Sequence, residues 1–525
     1  MLKFITDVLI VGGGLAGYRA AAAAAETGAK VILIERGNCA SHLVMGFNAA
    51  VNADDSDELF LKDLEISGSG IGDPSLKERL VKGSREEVAY FEKSGITFDK
   101  TDENQYHTIS VLGSSRARLV HKESRTGTII LNFLKEYAAK MNVQCIQGNV
   151  FHLMKEQDRV QGALATNSNG EVYEVIAGSI VIATGGNGGI YPISTYSKNL
   201  TGDGYALALA AGAELIDMEF QQFEPCCYVW PKKLQGKLAV STMLLEGGEL
   251  KNADGDPVIE GGYRVQKSVL AEQIMKQIQN GKGTPHGGVW YDITSLSPKI
   301  VKEDHELFYQ MALQGGVDLT KEAAEVAPVV HTCIGGIRID CDCQSSVPGL
   351  FAAGEAAGGI HGANRIGGCA GTETLVFGAI AGKSAAAYAL ENRERSTGWY
   401  EKQDFVKDEQ LINQIINEAT ECMGKALGYL KDAETLQMAY HDILEMRKKL
   451  SKKGKWIEHP MNRIVGNRLL IAEAQLLSAI YRKESRGVFK RSDYPEASEE
   501  YQGVSFTISI GNDINAPLCI KEKRF

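Results

Sequence analysis

A glycine-rich turn near the N-terminus constrains the fold of this chain more than any other feature. The turn Gly12-Gly13-Gly14-Leu15-Ala16-Gly17 follows the apolar run Asp7 to Val11 and opens an alanine-rich helical stretch. A second apolar run, Lys30 to Ile34, ends at the acidic Glu35. In a βαβ unit of this kind, the glycines let a pyrophosphate approach the backbone, the helix N-terminus stabilises its charge, and the acid can hydrogen-bond a ribose. The order of these elements therefore predicts a dinucleotide-binding domain.

Two further glycine clusters favour FAD over NAD as the dinucleotide. The strand-like run Ser179 to Ile182 ends in Ala183-Thr184-Gly185-Gly186, which we expect to return the chain to the flavin. Gly349 to Glu355 predicts another strand and turn, and its acidic residue is placed to meet a ribityl chain or a ribose. The chain has no second nucleotide fingerprint, so direct use of NADH is not expected.

Composition and charge exclude several other functions. The 525 residues include 56 basic and 66 acidic side chains, a net charge of −10, without a basic run that would suit nucleic acid. No uninterrupted apolar stretch has membrane-spanning length, and the N-terminus leaves no room for a signal peptide before the first strand. We therefore expect a cytoplasmic protein without direct membrane insertion, whose membrane association, if it has any, is supplied by partner subunits.

The ten cysteines are scattered along the chain. There is no CxxC, no CxxCH and no spacing of cysteine and histidine that suits zinc. This pattern predicts reduced thiols, no metal site, and no haem or iron–sulfur cluster within the chain. Electrons must then reach or leave the flavin through another molecule.

The middle and the end of the chain differ in pattern from the nucleotide-binding segments. Residues from about 205 to 335 mix short strands with helix-like stretches at Tyr263 to Gln279 and Lys302 to Leu313. After a polar turn at Asn392 to Gly398, apolar residues recur at helical spacing. The predicted amphipathic helices are Asp404 to Met423, Ala433 to Lys453 and Met461 to Tyr481.

Six motifs along the chain carry a family resemblance. They are Ala183–Tyr191, Thr201–Gly212, Asp217–Phe223, His331–Ile337, Ala353–Gly368 and Arg482–Pro495. Together they resemble the succinate dehydrogenase/fumarate reductase flavoprotein family, which includes L-aspartate oxidase. The resemblance implies an α/β fold: a Rossmann-like FAD-binding domain at 1–204 and 336–395, an inserted α+β capping domain at 205–335, and a C-terminal helical domain and tail at 396–525.

The resemblance also implies a reaction and its residues. In this family a C–C single bond and an activated C=C bond are interconverted between the cap and the flavin. A hydride passes between flavin N5 and one carbon, and a protein group handles the proton on the other. His331 and Arg365 match the family's substrate-binding histidine and arginine, and we assign them catalytic as well as substrate-binding roles. A guanidinium suits this task because it can hold a carboxylate with two hydrogen bonds.

The proton-transfer position departs from the family pattern. The family has an arginine on a cap helix, whereas gapless alignment places Lys267 at that position. A desolvated lysine can act as an acid or a base. Arg264, one helical turn earlier, is the alternative proton-transfer residue.

Glu224 replaces the family's second substrate histidine, and Leu244–Gly248 lacks an arginine of the family pattern. A carboxylate at 224 would repel a second substrate carboxylate. It could accept an ammonium or a hydroxyl, or be protonated in a dry pocket. We therefore expect a small carboxylate substrate other than plain fumarate or succinate.

The resemblance assigns a set of residues to FAD. Ser41 and His42 lie where respiratory members carry the flavin covalently through a histidine, but the loop is shorter here. Non-covalent binding is therefore favoured over a covalent link at His42. The segment Arg125-Thr126-Gly127 matches part of another family motif, and its role stays open. The predicted FAD-binding residues are Gly12, Gly14, Leu15, Ala16, Gly17, Glu35, Arg36, Ser41, His42, Ala49, Val150, Ala183, Thr184, Gly185, Asp203, Glu355, Arg365, Ala370 and Gly371.

Three functions remain open from the sequence. The first is an FAD-dependent oxidoreductase acting on an activated alkene or saturated carboxylic acid. The second is an L-aspartate-oxidase-like amino-acid oxidase, with Glu224 near the substrate ammonium. The third is an electron-transfer flavoprotein subunit of an iron–sulfur complex, with a substrate site that has decayed. In each case the partner is an iron–sulfur electron-transfer subunit or another redox carrier.

Overall fold

A computed structural model describes residues 2–37, 39–392, 409–451, 460–511 and 516–525. Residues 393–398 of the predicted polar turn lie outside these ranges. So do residues 404–408 of one predicted helix and residues 452–453 of the next.

A largely parallel sheet forms the centre of the FAD-binding region. Its parallel strands are, in order across the sheet, Gln144–Gln147, Val31–Glu35, Leu2–Val11, Val172–Ile182 and Leu350–Ala352. The antiparallel strands Arg159–Thr166 and Asn149–Glu156 extend it from the first half of Val172–Ile182. The apolar runs seen in the sequence are continuous because helices cover both faces of such a sheet.

The helix Leu15–Ala25 follows the predicted dinucleotide turn and packs against the long helix Cys369–Glu391. Their backbones approach closely because small residues face each other. A Cβ added at Gly382 would lie 2.2 Å from the carbonyl oxygen of Ala20. The alanine-rich composition of the first helix therefore serves close packing. The other helices of this region are Asp57–Gly68, Pro74–Lys93, Thr126–Lys140 and Asp203–Ala210, and a small sheet contains Gly46–Asn48, Leu119–His121 and Thr108–Ile109.

The cap is an α+β unit inserted in the FAD-binding region, as predicted. Its antiparallel sheet has the strand order Gln221–Trp230, Ala324–Cys333, Val289–Asp292 and Glu249–Lys251. The helices Lys267–Gln277 and Glu306–Gly315 accompany this sheet. A separate hydrophobic core, drawn mainly from residues 226–326, holds the cap together.

The C-terminal part begins with the helices Glu409–Ala426, Ala433–Ser451 and Pro460–Tyr481, which pack on one another. The chain then returns to the FAD-binding region, a feature that the sequence pattern did not predict. Strands Val504–Ser509 and Cys519–Arg524 join a sheet whose other strands are Leu215–Ile216, Gly336–Arg338 and Ala357–Gly358. A two-stranded pair, Leu430–Lys431 with Lys490–Arg491, completes this part.

Buried ion pairs connect the C-terminal motif to the segment directly before the strand Gln221–Trp230. The Nε of Arg482 donates to Glu219 at 2.6 Å, and one of its Nη atoms donates to Glu484 at 2.8 Å. The side chains of all three residues are fully buried. Two motifs that are far apart in the sequence, Asp217–Phe223 and Arg482–Pro495, are therefore parts of one contact.

Candidate active site

A cavity of about 430 Å³ lies where the FAD-binding region meets the cap. One part of its wall consists of the glycine-rich segments that the sequence assigns to a dinucleotide. The other part contains Glu224, Lys267, His331 and Arg365. Four of the five predicted substrate and proton-transfer residues therefore face the same space as the predicted flavin-binding turns.

The dinucleotide turn has the geometry that a bound pyrophosphate and ribose require. Gly12 has φ +119°, and a Cβ there would lie 2.2 Å from the carbonyl oxygen of Ala183. A Cβ at Gly13 would lie 2.0 Å from Oε2 of Glu35. That buried oxygen lies directly behind the turn and has no hydrogen-bond partner among the described residues, which suits an acid that meets a ribose hydroxyl. The residues present thus fit FAD.

Most of the predicted FAD-binding residues line the cavity, and four do not. Gly17, Glu35, His42 and Ala49 are outside the lining. Gly17 lets the first helix pack closely against the glycine-rich turn that precedes it. A Cβ at Gly17 would lie 1.9 Å from the backbone oxygen of Gly12. His42 is exposed, with its Nδ1 3.2 Å from the hydroxyl of Thr128. The residues that do line the cavity are Gly12, Gly14, Leu15, Ala16, Arg36, Ser41, Val150, Ala183, Thr184, Gly185, Asp203, Glu355, Arg365, Ala370 and Gly371.

The segment Arg125-Thr126-Gly127 supports the loop at 41–45, most of which lines the cavity. The backbone N–H of Gly127 donates to the oxygen of Val44 at 2.8 Å. Thr126 donates its hydroxyl to the oxygen of Met45. Arg125 reaches across to the cap and pairs with Glu306 at 3.0 Å. The segment therefore positions the cavity wall and contacts the cap.

The acidic residues on the flavin side are held by neighbouring donors. Glu355 accepts the Thr332 hydroxyl at 2.6 Å and the Cys333 N–H at 3.2 Å. Burial nevertheless raises the pKa of Glu355 to about 7. Asp203 forms an ion pair with Arg36. Both carboxyl groups are thus fixed in position on the cavity wall.

Glu224 and Lys267 form an ion pair at the substrate end of the cavity. Their side chains are 5% and 12% exposed, so little water surrounds them. The Ser241 hydroxyl donates to the other oxygen of Glu224 at 3.2 Å. Although burial raises the pKa of Glu224, the nearby cations, chiefly Lys267, outweigh it and hold this pKa below its ordinary value. Glu224 is therefore a charged carboxylate, already engaged by a residue of the chain.

Lys267 is the first residue of its helix, after Gln266 in extended conformation. The positive end of a helix disfavours a cation, so the carboxylate of Glu224 offsets the helix dipole as well as the loss of water. The helix was predicted to begin at Tyr263, which is wrong, because residues 263–266 are not helical. Arg264 is exposed and does not line the cavity.

His331 and Arg365 lie next to this pair. Nε2 of His331 is 3.9 Å from Glu224, and its Nδ1 is 2.8 Å from the Thr195 hydroxyl. Burial lowers the pKa of His331 to about 3, so its ring is neutral near pH 7. Arg365 is 4% exposed, and its Nε has no hydrogen-bond partner among the described residues. The site therefore has a buried cation available to an anion.

A hydrogen-bond network fixes the loop that carries Arg365. The side-chain nitrogen of Gln222 donates to the backbone oxygen of Arg365 at 2.9 Å and to the side-chain oxygen of Asn364 at 3.0 Å. Asn364 in turn donates to Gln266, directly before Lys267, at 3.0 Å. Sequence reasoning missed Gln222, Asn364, Thr195 and Ser241, although the first two lie inside motifs that it had identified.

Two protein-family models match most of this chain. The family described as FAD binding domain matches residues 7–370, and the family described as Fumarate reductase flavoprotein C-term matches residues 416–514. A subunit of the fumarate reductase (CoM/CoB) of Methanothermobacter marburgensis is 33% identical, over 94% of this chain and 96% of that protein. An L-aspartate oxidase of Acinetobacter baylyi is 27% identical, over 95% and 96%.

Solved structures show the same fold. A chain of the E. coli quinol fumarate reductase superimposes with a TM-score of 0.88 and 26% identity, covering 100% of this chain and 97% of that one. Mycobacterium smegmatis Sdh1 in complex with UQ1 gives a TM-score of 0.84 and 29% identity, covering 100% and 95%. The predicted fold class and the family resemblance are confirmed.

The fold, the dinucleotide cradle and these similarities define an FAD-dependent oxidoreductase of the fumarate reductase/succinate dehydrogenase type. The chain belongs to the succinate dehydrogenase/fumarate reductase flavoprotein family, and its cofactor is FAD. In the described part of the chain, no helix combines the length and the apolar character that crossing a bilayer would need.

Proposed function

We propose that this enzyme interconverts an activated unsaturated carboxylate and its saturated counterpart. The observation that carries this proposal is the convergence of Arg365, His331 and Lys267 on one cavity that also includes the dinucleotide turn. When bound there, FAD supplies hydride transfer. The residues of the chain bind the acid, polarise its double bond and move the second proton.

Arg365 is proposed to bind the substrate carboxylate. Among the described residues no carboxylate is in direct contact with its buried guanidinium, so an incoming anion would compensate its charge and accept its free Nε–H. His331, neutral and oriented by Thr195, has Nε2 left for a second substrate oxygen. These two contacts would withdraw electrons from the conjugated double bond.

Lys267 is proposed to carry the proton. In the reductive direction the C=C π bond breaks, one carbon gains a hydride equivalent and the other gains a proton from the Lys267 ammonium. The product is the saturated acid, and Lys267 recovers its proton from water. In the oxidative direction the same amine accepts the proton. Glu224 holds this amine at the cavity wall, which supports the assignment over Arg264.

The electrons are proposed to pass to or from an iron–sulfur subunit or another redox carrier. Two findings support a partner: the match of residues 416–514 to the fumarate reductase flavoprotein C-terminal family, and relatives that are named as subunits. A cytoplasmic location, with any membrane association through such partners, belongs to the same proposal. We also propose non-covalent FAD, since His42 is exposed and outside the cavity lining.

Anaerobic reoxidation of the reduced flavin tests the main proposal. The FAD-loaded enzyme is reduced with dithionite, freed of excess reductant, and mixed with α,β-unsaturated acids while flavin absorbance is followed. We expect at least one acid to reoxidise the flavin, with formation of the saturated acid, and Arg365→Ala to abolish the reaction. Absence of reoxidation by every acid, or full activity of Arg365→Ala, would refute the proposal.

An aerobic assay separates this proposal from an amino-acid oxidase. An ammonium substrate would need a free carboxylate, whereas Glu224 is already paired with Lys267 and Ser241. We therefore expect no peroxide with aspartate or other amino acids. Peroxide formation with an amino acid, together with inert enoates, would favour the oxidase instead.

A further inference from the structure

Apart from the hydroxyl of Thr242, the cavity wall next to the Glu224–Lys267 pair is largely apolar. Val240 and Ser241 are adjacent in the chain, so the wall continues directly from the hydroxyl that binds Glu224. Leu238, Val240 and Phe308 line this part, together with Leu112 from the FAD-binding region. Val240, Phe308 and Leu112 are buried members of the cap core. This surface therefore has fixed apolar side chains, which we call the apolar wall: Leu112, Leu238, Val240 and Phe308.

The backbone behind the apolar wall is well anchored. The Tyr291 hydroxyl donates to the oxygen of Val240 at 2.8 Å. The segment at Leu238 pairs with Cys227 of the strand that carries Glu224. Phe308 lies on the helix Glu306–Gly315, which Arg125 connects to the FAD-binding region. The wall is thus part of the site rather than a loose loop beside it.

The four substrate-end residues Glu224, Lys267, His331 and Arg365 together carry a single positive charge. Arg365 and Lys267 are cations, Glu224 is an anion paired with Lys267, and His331 is neutral. One substrate carboxylate on Arg365 balances this charge. A second carboxylate would have to lie against Glu224 or the apolar wall, because the other lining cation among the described residues, Arg36, is already paired with Asp203. Burying an unpaired carboxylate is costly, so the site disfavours a dicarboxylate.

Building on the proposed function, we propose that the substrate is a monocarboxylate enoate, or its saturated counterpart, whose far carbon carries an apolar alkyl or aryl group. Arg365 and His331 hold its carboxylate, and the substituent occupies the space along the apolar wall. Fumarate, with a carboxylate in place of that substituent, is a poor substrate.

A panel of acids tests this inference with the FAD-loaded enzyme. Fumarate, crotonate and cinnamate are compared as oxidants of the dithionite-reduced flavin, under the anaerobic conditions given above. Because fumarate would bury an unpaired carboxylate where crotonate and cinnamate place an apolar group, we expect crotonate or cinnamate to exceed fumarate by about 100-fold or more in kcat/KM. Fumarate reacting fastest would overturn the inference while leaving the proposed function intact, and inertness of all enoates would overturn both.

Variants of the wall locate the substituent. Phe308→Ala enlarges the space, and we expect it to raise the cinnamate-to-crotonate ratio of kcat/KM by about tenfold. Leu313→Ala on the same helix is the matched control, since Leu313 is 43% exposed and does not line the cavity. If Phe308→Ala does not fold, Val240→Thr tests the same wall by adding a hydroxyl, which should slow crotonate and cinnamate more than fumarate. Unchanged ratios in a folded variant would contradict the inference.

Discussion

Removal of the Lys267 ammonium is the sharpest test of how the site works. In Lys267→Met the apolar stem is retained and the proton donor is lost. General acid catalysis contributes about 10²- to 10⁴-fold, or about 2.7–5.4 kcal/mol of barrier. The side chain is only 12% exposed, so water cannot readily replace it. We expect anaerobic flavin reoxidation by the best enoate to slow by that factor in stopped-flow measurements.

Glu224 should act through the same ammonium. Two unit charges about 4 Å apart, at an effective dielectric constant of about 20, attract by about 4 kcal/mol. Glu224→Gln removes this attraction, and we expect it to slow reoxidation by about 10- to 100-fold because the amine loses its position. The double variant Glu224→Gln/Lys267→Met should be no slower than Lys267→Met alone, because residues that act as a unit are not additive.

Arg264→Met is the matched control for the same segment. Arg264 is a cation three residues earlier, exposed and outside the cavity lining, so its loss should leave the rate unchanged. Reoxidation at the wild-type rate in Lys267→Met, or a slow Arg264→Met, would refute the assignment. A double variant whose loss equals the product of the two single losses would refute the role of Glu224.

Three further outcomes follow from the cofactor cradle and the buried charges. Gly12→Ala should purify with little FAD, because its Cβ would lie 2.2 Å from a backbone oxygen. Gly28→Ala, also at positive φ but in open space and outside the cavity lining, should retain it, and flavin content measures both. Arg482→Met leaves Glu219 buried and unpaired, so we expect the free energy of unfolding to fall by about 3–5 kcal/mol. Calorimetry should show this loss as a lower Tm. Burial lowers the pKa of Lys431 to about 7, whereas the pKa of a lysine in the unfolded chain is about 10.4. Between these two pH values the unfolded chain binds more protons than the folded chain. The contribution of Lys431 to the free energy of unfolding therefore rises with pH. The Tm of Lys431→Met minus the Tm of wild type should therefore decrease from pH 7 to pH 9.5, because only the wild type gains stability from this group. A constant difference would contradict the burial of a neutral amine.

Local patterns were enough to predict the nucleotide-binding part of the fold. The run Asp7 to Val11, the glycine turn and Glu35 are consecutive, and each step depends on short-range geometry: strand burial, positive φ and a helix N-terminus. The structure extends the first strand to Leu2–Val11 without changing its role. The C-terminal strands were missed because Val504–Ser509 joins its sheet through the distant strand Leu215–Ile216, a relation that periodicity does not record, and Cys519–Arg524 then pairs with Val504–Ser509.

The candidate site was predicted as a set of residues but not as an arrangement. Glu224 was expected to face the substrate directly, repelling a second carboxylate, accepting an ammonium or a hydroxyl, or protonated in a dry pocket. The structure instead pairs it with Lys267, 43 positions away, and with Ser241. Glu224 and Lys267, which both depart from the family pattern, thus neutralise each other in one ion pair. Arg264 is set aside for a similar reason, since the helix begins at Lys267 and leaves Arg264 exposed.

The sequence by itself determined that this chain binds a dinucleotide, which residues supply the turn, and that a histidine and an arginine are available for a carboxylate. The dinucleotide turn follows from neighbouring residues and local backbone geometry, whereas the histidine and the arginine were assigned by the family resemblance. Only the tertiary structure decided the charge of the substrate space, because the partners of Glu224, Lys267 and Arg365 come from separate segments. It also decided the apolar wall, since Leu112 of the FAD-binding region meets Val240 and Phe308 of the cap only after both units have folded.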